Sequence, residues 1–566
     1  VDSSKNNLLV FGACGAAFAA LLALSWWPNA GCGFLAWIAF APFGFAVLRA
    51  ATVKNAFLFG VYAGFLFYAL TLYWIYPTCR AGDVAAPVAL AAWLALALVL
   101  SLEWGLLALA LKRLTVYGGF FPPLAAAALA ALEYGKVSFC VHGVWFPWFL
   151  TGYTQWKYPA AIQISSVCGV YGVSFAVALT GFALGHAVLK FWDTRRLRAC
   201  LESPYSAASG AFTSDTSRSS AYRPTGLLVS ARCVSEAKSP LSLRKRDSKQ
   251  ALKPAFAALA APAALLCGLL IYGQARFSGA ADSGRTAKIA VLQPNVDQYK
   301  KWDERFESEI LERLSGMAEK TAAANPGLAA IIWPESALPG PLDEPRYARY
   351  AGEIARKTGV WQIIGTVSFS GGKSYVSARA VAPSGEPDAR YDKRKLVPFG
   401  EFVPARGLLG GFISAVNKLG EFSPGKRVQP PLAAGGLKFG MGICYETIFP
   451  WLWRGYPAAG ANLLVNITND GWYLDSAAPW QHFSAAVFRA VETGLPLVRA
   501  ANTGISGWID GFGRVRARTA LNTEAALVFD VPITPVRAVY SGAGDVFALL
   551  MCCAAALALA CAGRMR

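Results

Sequence analysis

Cys444 closes an apolar, β-prone run from Leu437 to Ile443 and is the one cysteine between Cys267 and Cys552. A thiol at the end of a strand can attack a carbonyl carbon if a base takes its proton and a cation or N–H donors hold the tetrahedral oxyanion. Alone, such a cysteine is more often a small buried hydrophobe. Two upstream segments supply what it lacks. Leu328 to Trp333 is a second apolar run, ending in Pro334-Glu335-Ser336, and Tyr391-Asp392-Lys393-Arg394-Lys395 leads into Leu396-Val397-Pro398-Phe399-Gly400-Glu401. Taken singly, Glu335 reads as a solvated loop carboxylate and Lys393 as a surface cation. A carboxylate, an ammonium and a thiol in order, each at or just past a strand end, read together as a nucleophilic site.

The elements that must position them lie between Thr286 and Pro532, where the composition is that of a globular α/β domain. The pattern predicts strands over Lys288–Leu292, Ala329–Trp333, Trp361–Val367, Ser374–Ala382, Leu437–Ile443, Asn462–Asn466, Pro496–Ala500, Gly507–Ile509 and Ala526–Val531. Amphipathic helices fit Asp303–Ala324, Arg346–Thr358 and Trp480–Thr493. Strands alternating with helices point to a layered sandwich. The segment is long enough for one domain with a full core.

The rest of the chain belongs in lipid. Over 566 residues, 55% are hydrophobic and only 15% charged, which excludes an ordinary soluble protein of this size. Eight spans are expected: Leu8–Trp26, Gly33–Leu48, Ala56–Tyr76, Ala85–Leu111, Phe120–Tyr134, Ala160–Leu189, Ala255–Tyr272 and Val546–Ala562. The domains are then 1–192 for six spans, 193–253 for a Ser/Arg-rich insert, 254–275 for span seven, 286–532 for the globular domain, and 543–566 for the last span and its basic tail. The net charge of +19 is no nucleic-acid signature, because the basic residues cluster beside the spans. Lys5, Arg49, Lys54, Lys112, Arg113, the Arg195–Arg246 stretch and Arg564 share one side, against scattered Arg80, Lys136 and Lys157 on the other. The positive-inside rule places both termini in the cytoplasm and the globular domain outside. The first span reads as retained, since no convincing cleavage site follows it; Val1 leaves the true start of the chain open.

Other features follow from this layout. The insert at 193–253 reads as a cytoplasmic, disordered loop whose basic ends can touch anionic headgroups. Glu103, Glu133 and His186 sit in or at the ends of spans, where ionisable groups are costly and often functional. The aromatic loop Val144-Trp145-Phe146-Pro147-Trp148 reads either as an interfacial anchor or as the lining of an acyl path. The run from Leu408 to Ile413, including Leu409 and Phe412, is Gly-rich and apolar, and reads either as plain core packing or as a mobile lid dipping into the outer leaflet. Cysteine spacing offers no paired framework and no metal-ligand set, so neither metal nor cofactor is expected.

Specific motifs carry a resemblance across nearly the whole chain. They are Gln293-Pro294-Asn295 leading to Lys301-Trp302-Asp303, Trp333-Pro334-Glu335-Ser336, Tyr391-Asp392-Lys393, Leu396 to Pro404, Cys444-Tyr445-Glu446, and Asn466-Ile467-Thr468-Asn469-Asp470-Gly471-Trp472. With several N-terminal spans and one at the C-terminus, the chain resembles the apolipoprotein N-acyltransferase family, a membrane-embedded branch of the nitrilase superfamily. The resemblance implies a multi-span α-helical membrane domain with a nitrilase-like αββα sandwich outside the cytoplasm, in the bacterial inner membrane. It implies Cys444 as nucleophile, Glu335 as general base and acid, and Lys393 as oxyanion stabiliser. Glu401 would orient them, and Trp302, Tyr445 and Glu446 would shape the acyl pocket and its loops. The implied partners are a phospholipid acyl donor and a diacylated lipoprotein precursor as acceptor; no nucleic acid is expected, and the protein is expected to be a monomer. The long insert is the departure from the family pattern.

Three other readings stand beside this one. A membrane-tethered amidase would use the same residues with water as acceptor, although eight spans are excessive for a tether. A transporter or lipid-binding protein would keep its activity in Cys444→Ala. A Cys-His site would need His482, the one histidine of the globular segment, which is expected instead to cap or pack its helix.

Overall fold

The computed structural model describes residues 2–27, 31–140, 145–201, 240–278, 284–298, 300–398, 400–402 and 422–565. Seven apolar helical runs among them are long enough to cross a bilayer. One of these, Ala86–Cys140, is 55 residues long, nearly three times what ~30 Å of hydrocarbon requires. It is two helices, because Gly118 turns the chain at φ 54°. The eight expected spans are therefore present as α1 (Asp2–Ser25), α2 (Ala36–Arg49), α3 (Val53–Thr71), α4 (Ala86–Leu114), α5 (Phe121–Cys140), α6 (Ser165–Leu201), α7 (Pro240–Ser278) and, at the C-terminus, α11 (Val546–Arg564). Helices suit these segments because lipid offers backbone N–H and C=O groups no partners outside the chain.

Two expectations need correction. The insert expected to be disordered over 193–253 is helical at both edges, where α6 runs on to Leu201 and α7 begins at Pro240; residues 202–239 lie outside the described set. Lys136 is no loop cation: α5 extends six residues past Tyr134, and Lys136 is buried inside it. Its ammonium donates to Glu103 of α4 at 3.2 Å and to the Phe149 carbonyl at 2.6 Å. Glu103 also accepts from the Tyr68 hydroxyl and, at 3.1 Å, from the Trp145 indole.

The globular domain is built of two six-stranded sheets. Sheet one runs in the order β12-β1-β2-β3-β4-β5 and sheet two in the order β11-β10-β9-β8-β7-β6. The strands are β1 (Thr286–Gln293), β2 (Ala330–Ile332), β3 (Trp361–Ser370), β4 (Lys373–Val381), β5 (Pro387–Asp392), β6 (Leu432–Ala434), β7 (Leu437–Ile443), β8 (Leu463–Thr468), β9 (Leu497–Ala501), β10 (Gly507–Ile509), β11 (Val515–Arg518) and β12 (Ala525–Pro532). At the heart of each sheet the strands are parallel: β1, β2 and β3 in one, β7, β8 and β9 in the other. Ile289, Val291, Ile332, Phe439, Met441 and Val465 interdigitate between the sheets. Helices α8 (Glu307–Ala324) and α9 (Pro345–Thr358) cover sheet one with an apolar face of Ile310, Leu314, Ala351 and Ile354. The αββα sandwich is thus present.

The fourth layer joins the two halves. Helix α10 (Ala478–Thr493) lies on sheet two, and every residue of it but Trp480 is buried, its polar ones included. Phe483, Val487 and Phe488 share one core with Phe149, Tyr153 and Phe182 of the membrane half. Gln481 accepts from the Trp74 and Trp148 indoles at 3.2 and 3.0 Å, and Arg489 donates to Glu492 at 3.0 Å. Glu492 accepts in turn from Val170 N at 2.9 Å, next to Gly169, whose φ of 64° breaks α6. The break frees an N–H that the carboxylate then satisfies.

The Glu103–Lys136 pair gives a direct test of this packing. Removing one member of a buried pair strands the other charge, at a cost of about 3–5 kcal/mol. Lys136→Met is expected to lower the thermal unfolding midpoint of the detergent-solubilised protein sharply, and Glu103→Leu/Lys136→Met to recover most of the loss. Equal loss in both variants would contradict the pairing.

Candidate active site

The C-terminal ends of parallel strands leave polar backbone and side chains facing a common crevice, and here both sheets contribute. After β2, Trp333 N donates to the Ile363 carbonyl at 2.8 Å and Ala337 N to the Gly365 carbonyl at 2.8 Å, pinning the turn that carries Glu335. Gly365 is required there, because a Cβ would stand 2.2 Å from the Pro334 carbonyl and 2.6 Å from the Glu335 Cα. Lys393 follows β5, an edge strand; its N–H donates to Val376 O and its carbonyl accepts from Gly425 N, both at 2.8 Å. Cys444 follows β7 with φ 50°, at the start of the 3₁₀ turn Cys444–Ile448. The preceding glycines make room for aromatic support: a Cβ on Gly442 would lie 2.3 Å from the Trp453 ring.

The structure brings Glu335, Lys393, Glu401, Glu446 and Cys444 together. Lys393 is fully buried, and its ammonium donates to Glu335 Oε1 at 3.0 Å and to Glu401 Oε1 at 2.5 Å. Glu335 Oε2 accepts from Asn469 N at 2.9 Å and Glu401 Oε2 from Val397 N at 2.9 Å, so both carboxylates are held at both ends. Burial alone would lower the Lys393 pKa, but the two carboxylates more than offset it and hold the ammonium charged. Burial pushes the Glu401 carboxyl up against the pull of Lys393. The Cys444 thiol is pushed well up by burial and by the Glu335 charge, with Lys393 opposing. It therefore rests protonated beside a carboxylate and a cation.

Glu446 does something the sequence did not disclose. Fully buried, it accepts from Arg394 N at 2.7 Å and Lys395 N at 3.2 Å, and from Ile443 N at 2.8 Å and the Tyr391 hydroxyl at 2.9 Å. One carboxylate thus ties the chain after Lys393 to the chain before Cys444. Tyr445 is buried with its ring stacked on Phe146 and Trp148 of the membrane half at 6.2 and 6.3 Å between centroids. Trp302 is the one predicted residue not drawn into this cluster: it is 52% exposed, with the Lys301 ammonium 5.7 Å over its ring. Leu409, Phe412 and the rest of the expected lid lie outside the described residues.

Sequence reasoning also missed a buried cluster behind the thiol. His482 does not cap its helix. Its Nε2 faces the Cys444 carbonyl oxygen at 2.9 Å and its Nδ1 lies 2.9 Å from Asp470 and 3.0 Å from Arg499. Burial and Arg499 lower the His482 pKa against the pull of Asp470. Nε2 is turned to the Cys444 main-chain carbonyl rather than to the thiol, which argues against a Cys-His site. Arg499 reaches Asp470 at 2.9 Å and also the Asn466 side chain. Lys301, quoted only as part of a motif, is buried as well, and desolvation lowers its pKa to about 8 although Glu335 opposes this. A histidine twelve residues past Asp470 and an arginine on a strand carry no periodic signal. Only the fold joins them.

Set against known proteins, residues 288–540 match the carbon-nitrogen hydrolase family, and residues 18–183 match the apolipoprotein N-acyltransferase N-terminal domain. The chain is 36% identical over 552 residues to an apolipoprotein N-acyltransferase of Geobacter metallireducens, covering 96% of this chain and 94% of that one. It is 33% identical to one from Allorhizobium ampelinum, covering 83% of this chain and 79% of the other. Among solved structures, a carbon-nitrogen hydrolase from Helicobacter pylori G27 is similar at 16% identity and a TM-score of 0.35, covering 46% of this chain and 94% of that one.

The Asp470 cluster predicts a pH window. Burial would raise this carboxyl, but Arg499 and His482 more than offset it and hold its pKa at about 2. A carboxylate depressed from an unfolded value of about 3.9 contributes about 2–3 kcal/mol that is present above that pH and lost on acidification. The stability gap between the parent chain and Asp470→Asn should be full above about pH 4 and close as pH falls toward about 2. A gap that persists at pH 2, or widens on acidification, would contradict the assignment.

Proposed function

We propose that this chain, which belongs to the apolipoprotein N-acyltransferase family, transfers a fatty acyl chain from a membrane phospholipid to the α-amine of the N-terminal diacylglyceryl-cysteine of a lipoprotein precursor, through a thioester on Cys444. The observation that carries this reading is the buried Lys393 ammonium held between Glu335 and Glu401, with the Cys444 thiol under the charge of the first two. A base, a cation and a nucleophile are what acyl transfer through a covalent intermediate needs.

The reaction runs in two halves. Glu335 takes the Cys444 proton as Sγ attacks the ester carbonyl of the phospholipid. The oxyanion is stabilised by Lys393 and by an N–H of the turn that begins at Cys444. On collapse, the C–O bond breaks, the lysophospholipid leaves with the proton from Glu335, and the acyl group stays on sulfur. In the second half the lipoprotein amine attacks the thioester, Glu335 removes its proton, and the C–S bond breaks to restore the thiol. Ester becomes thioester and then amide, so no nucleotide and no cofactor are required. The raised thiol pKa fits this order, because the proton leaves only as the donor ester is attacked.

Glu401 orients the ammonium through its two bonds, Glu446 sets the spacing of the two loops, and Tyr445 and Trp302 shape the approach of the acyl chain. The membrane places both substrates in one plane with the site. Basic residues beside the spans support a periplasmic site with both termini cytoplasmic, in the bacterial inner membrane. The protein works as a monomer in this account. The tethered amidase is disfavoured because α10 is buried between sheet two and the membrane helices, an integration that a mere anchor does not need.

The acceptor separates the two enzymes. Acyl-enzyme formed on a phospholipid is expected to persist in buffer and to discharge on addition of a diacylated peptide with a free N-terminus, and not with its N-acetylated form. Discharge at the same rate in buffer alone would establish the hydrolase instead.

A further inference from the structure

A cavity of about 900 Å³ opens where the membrane half meets the loops that follow Lys393 and Glu401. Its wall from the spans is largely apolar, with Val137 and the rings of Tyr134 and Tyr171, and Ser138 of α5 beside them. Its opposite wall is basic: Arg394, Lys395, Arg427 and Arg454 face it, against one carboxylate among the described residues, Asp545, which pairs with Arg454 at 2.5 Å. Arg394 is consumed by Tyr391, Tyr456 and the Leu452 carbonyl.

Lys395 is different. It is 8% exposed, its ammonium donates to the Cys140 carbonyl and lies 5.6 Å over the Phe449 ring, and among the described residues it has no carboxylate partner. An ammonium has three donors, so two remain. A desolvated cation without a counter-charge is costly, and burial lowers the pKa of this one. The Trp451 indole N–H, on the same cavity, is buried with no acceptor among the described residues. Arg427 stands exposed at the rim. Unspent donors and surplus positive charge over an apolar floor call for an amphiphile with an anionic oxygen group.

We infer that this cavity is the headgroup subsite for the acyl donor, in which Lys395, Arg427 and the Trp451 N–H hold the phosphodiester while the chains lie against α5 and α6. The inference rests on the reading of the donor as a phospholipid. Placement agrees with it: Arg394 alone separates Lys395 from Lys393, so their Cα atoms lie at most about 7 Å apart, and the subsite borders the segment that carries the oxyanion group. The wall next to the Lys393 carbonyl is Gly425, whose N–H donates to it, so the subsite and the reacting groups share one loop. Free phosphate would leave the apolar floor unused, which favours the lipid.

The test compares two donors on the full chain in neutral detergent: phosphatidylglycerol, and p-nitrophenyl palmitate, an acyl ester without phosphate. Acylation of Cys444 is read by intact mass. In Lys395→Gln and, separately, Arg427→Glu, the ratio of kcat/KM for phospholipid to that for the neutral ester should fall about tenfold or more, as loss of a charge-assisted hydrogen bond implies. The fall should lie mainly in KM. Arg427 is exposed, so its variant keeps the test open if Lys395→Gln fails to fold. An unchanged ratio in both variants, or an equal loss on both donors, would overturn the subsite. Inorganic phosphate that blocks the phospholipid reaction while sodium chloride of equal ionic strength does not would overturn the lipid assignment. If the parent chain acylates Cys444 from neither ester, the proposed function fails rather than the subsite.

Discussion

A lysine ammonium with no exposure to water is tolerated in a protein interior only where opposite charge and acceptors surround it, and Lys393 has both. Glu335 and Glu401 flank it, and each carboxylate has a backbone N–H on its second oxygen. This fixes three loops at once: the turn after β2, the segment after β5 and the loop through Glu401. The surrounding architecture can be understood as what keeps that cluster dry and in register. Glu446 spends its four bonds on the two chain segments that carry the ammonium and the thiol, so their spacing does not depend on side-chain packing alone.

The membrane half contributes more than an anchor. Trp148 stacks on Tyr445 and lies 5.4 Å from the His482 ring, while His482 meets the Cys444 carbonyl and so supports a residue held at positive φ. The loop bearing Trp148 is in turn secured by Lys136 on the Phe149 carbonyl and by Glu103 on Trp145. A continuous path of contacts therefore runs from an ion pair among the spans to the main chain of the thiol. Such an arrangement lets the bilayer-embedded helices set the geometry of the site while it remains above them.

Much of this was legible in the residues. Apolar β-prone runs announced β2, β7 and β8, whose ends carry Glu335, Cys444 and Asn469, and hydropathy marked the spans. What was lost has physical causes. β5, β6 and β11 are edge strands of six, three and four residues, too short for a period of two to stand out in the sequence. The pattern of α10 reads as one face toward water, yet its polar residues meet partners from the membrane half, and periodicity cannot distinguish a solvated face from a satisfied one. Lys136 has the same ambiguity: a cation near a span end looks like an anchor until Glu103 is seen beside it. The left-handed backbone at Cys444 and the shared carboxylate of Glu446 are properties of tertiary structure, and a single sequence holds no signal for either.

The central claim is that Cys444 carries the acyl chain and that Glu335 makes it able to do so. Intact mass of the chain purified from its own membranes tests both directly. The account predicts a fatty-acyl adduct that maps to Cys444 and is absent from Glu335→Gln. No adduct in the parent chain under conditions that trap thioesters, or an adduct on Cys444 that survives Glu335→Gln undiminished, would contradict it.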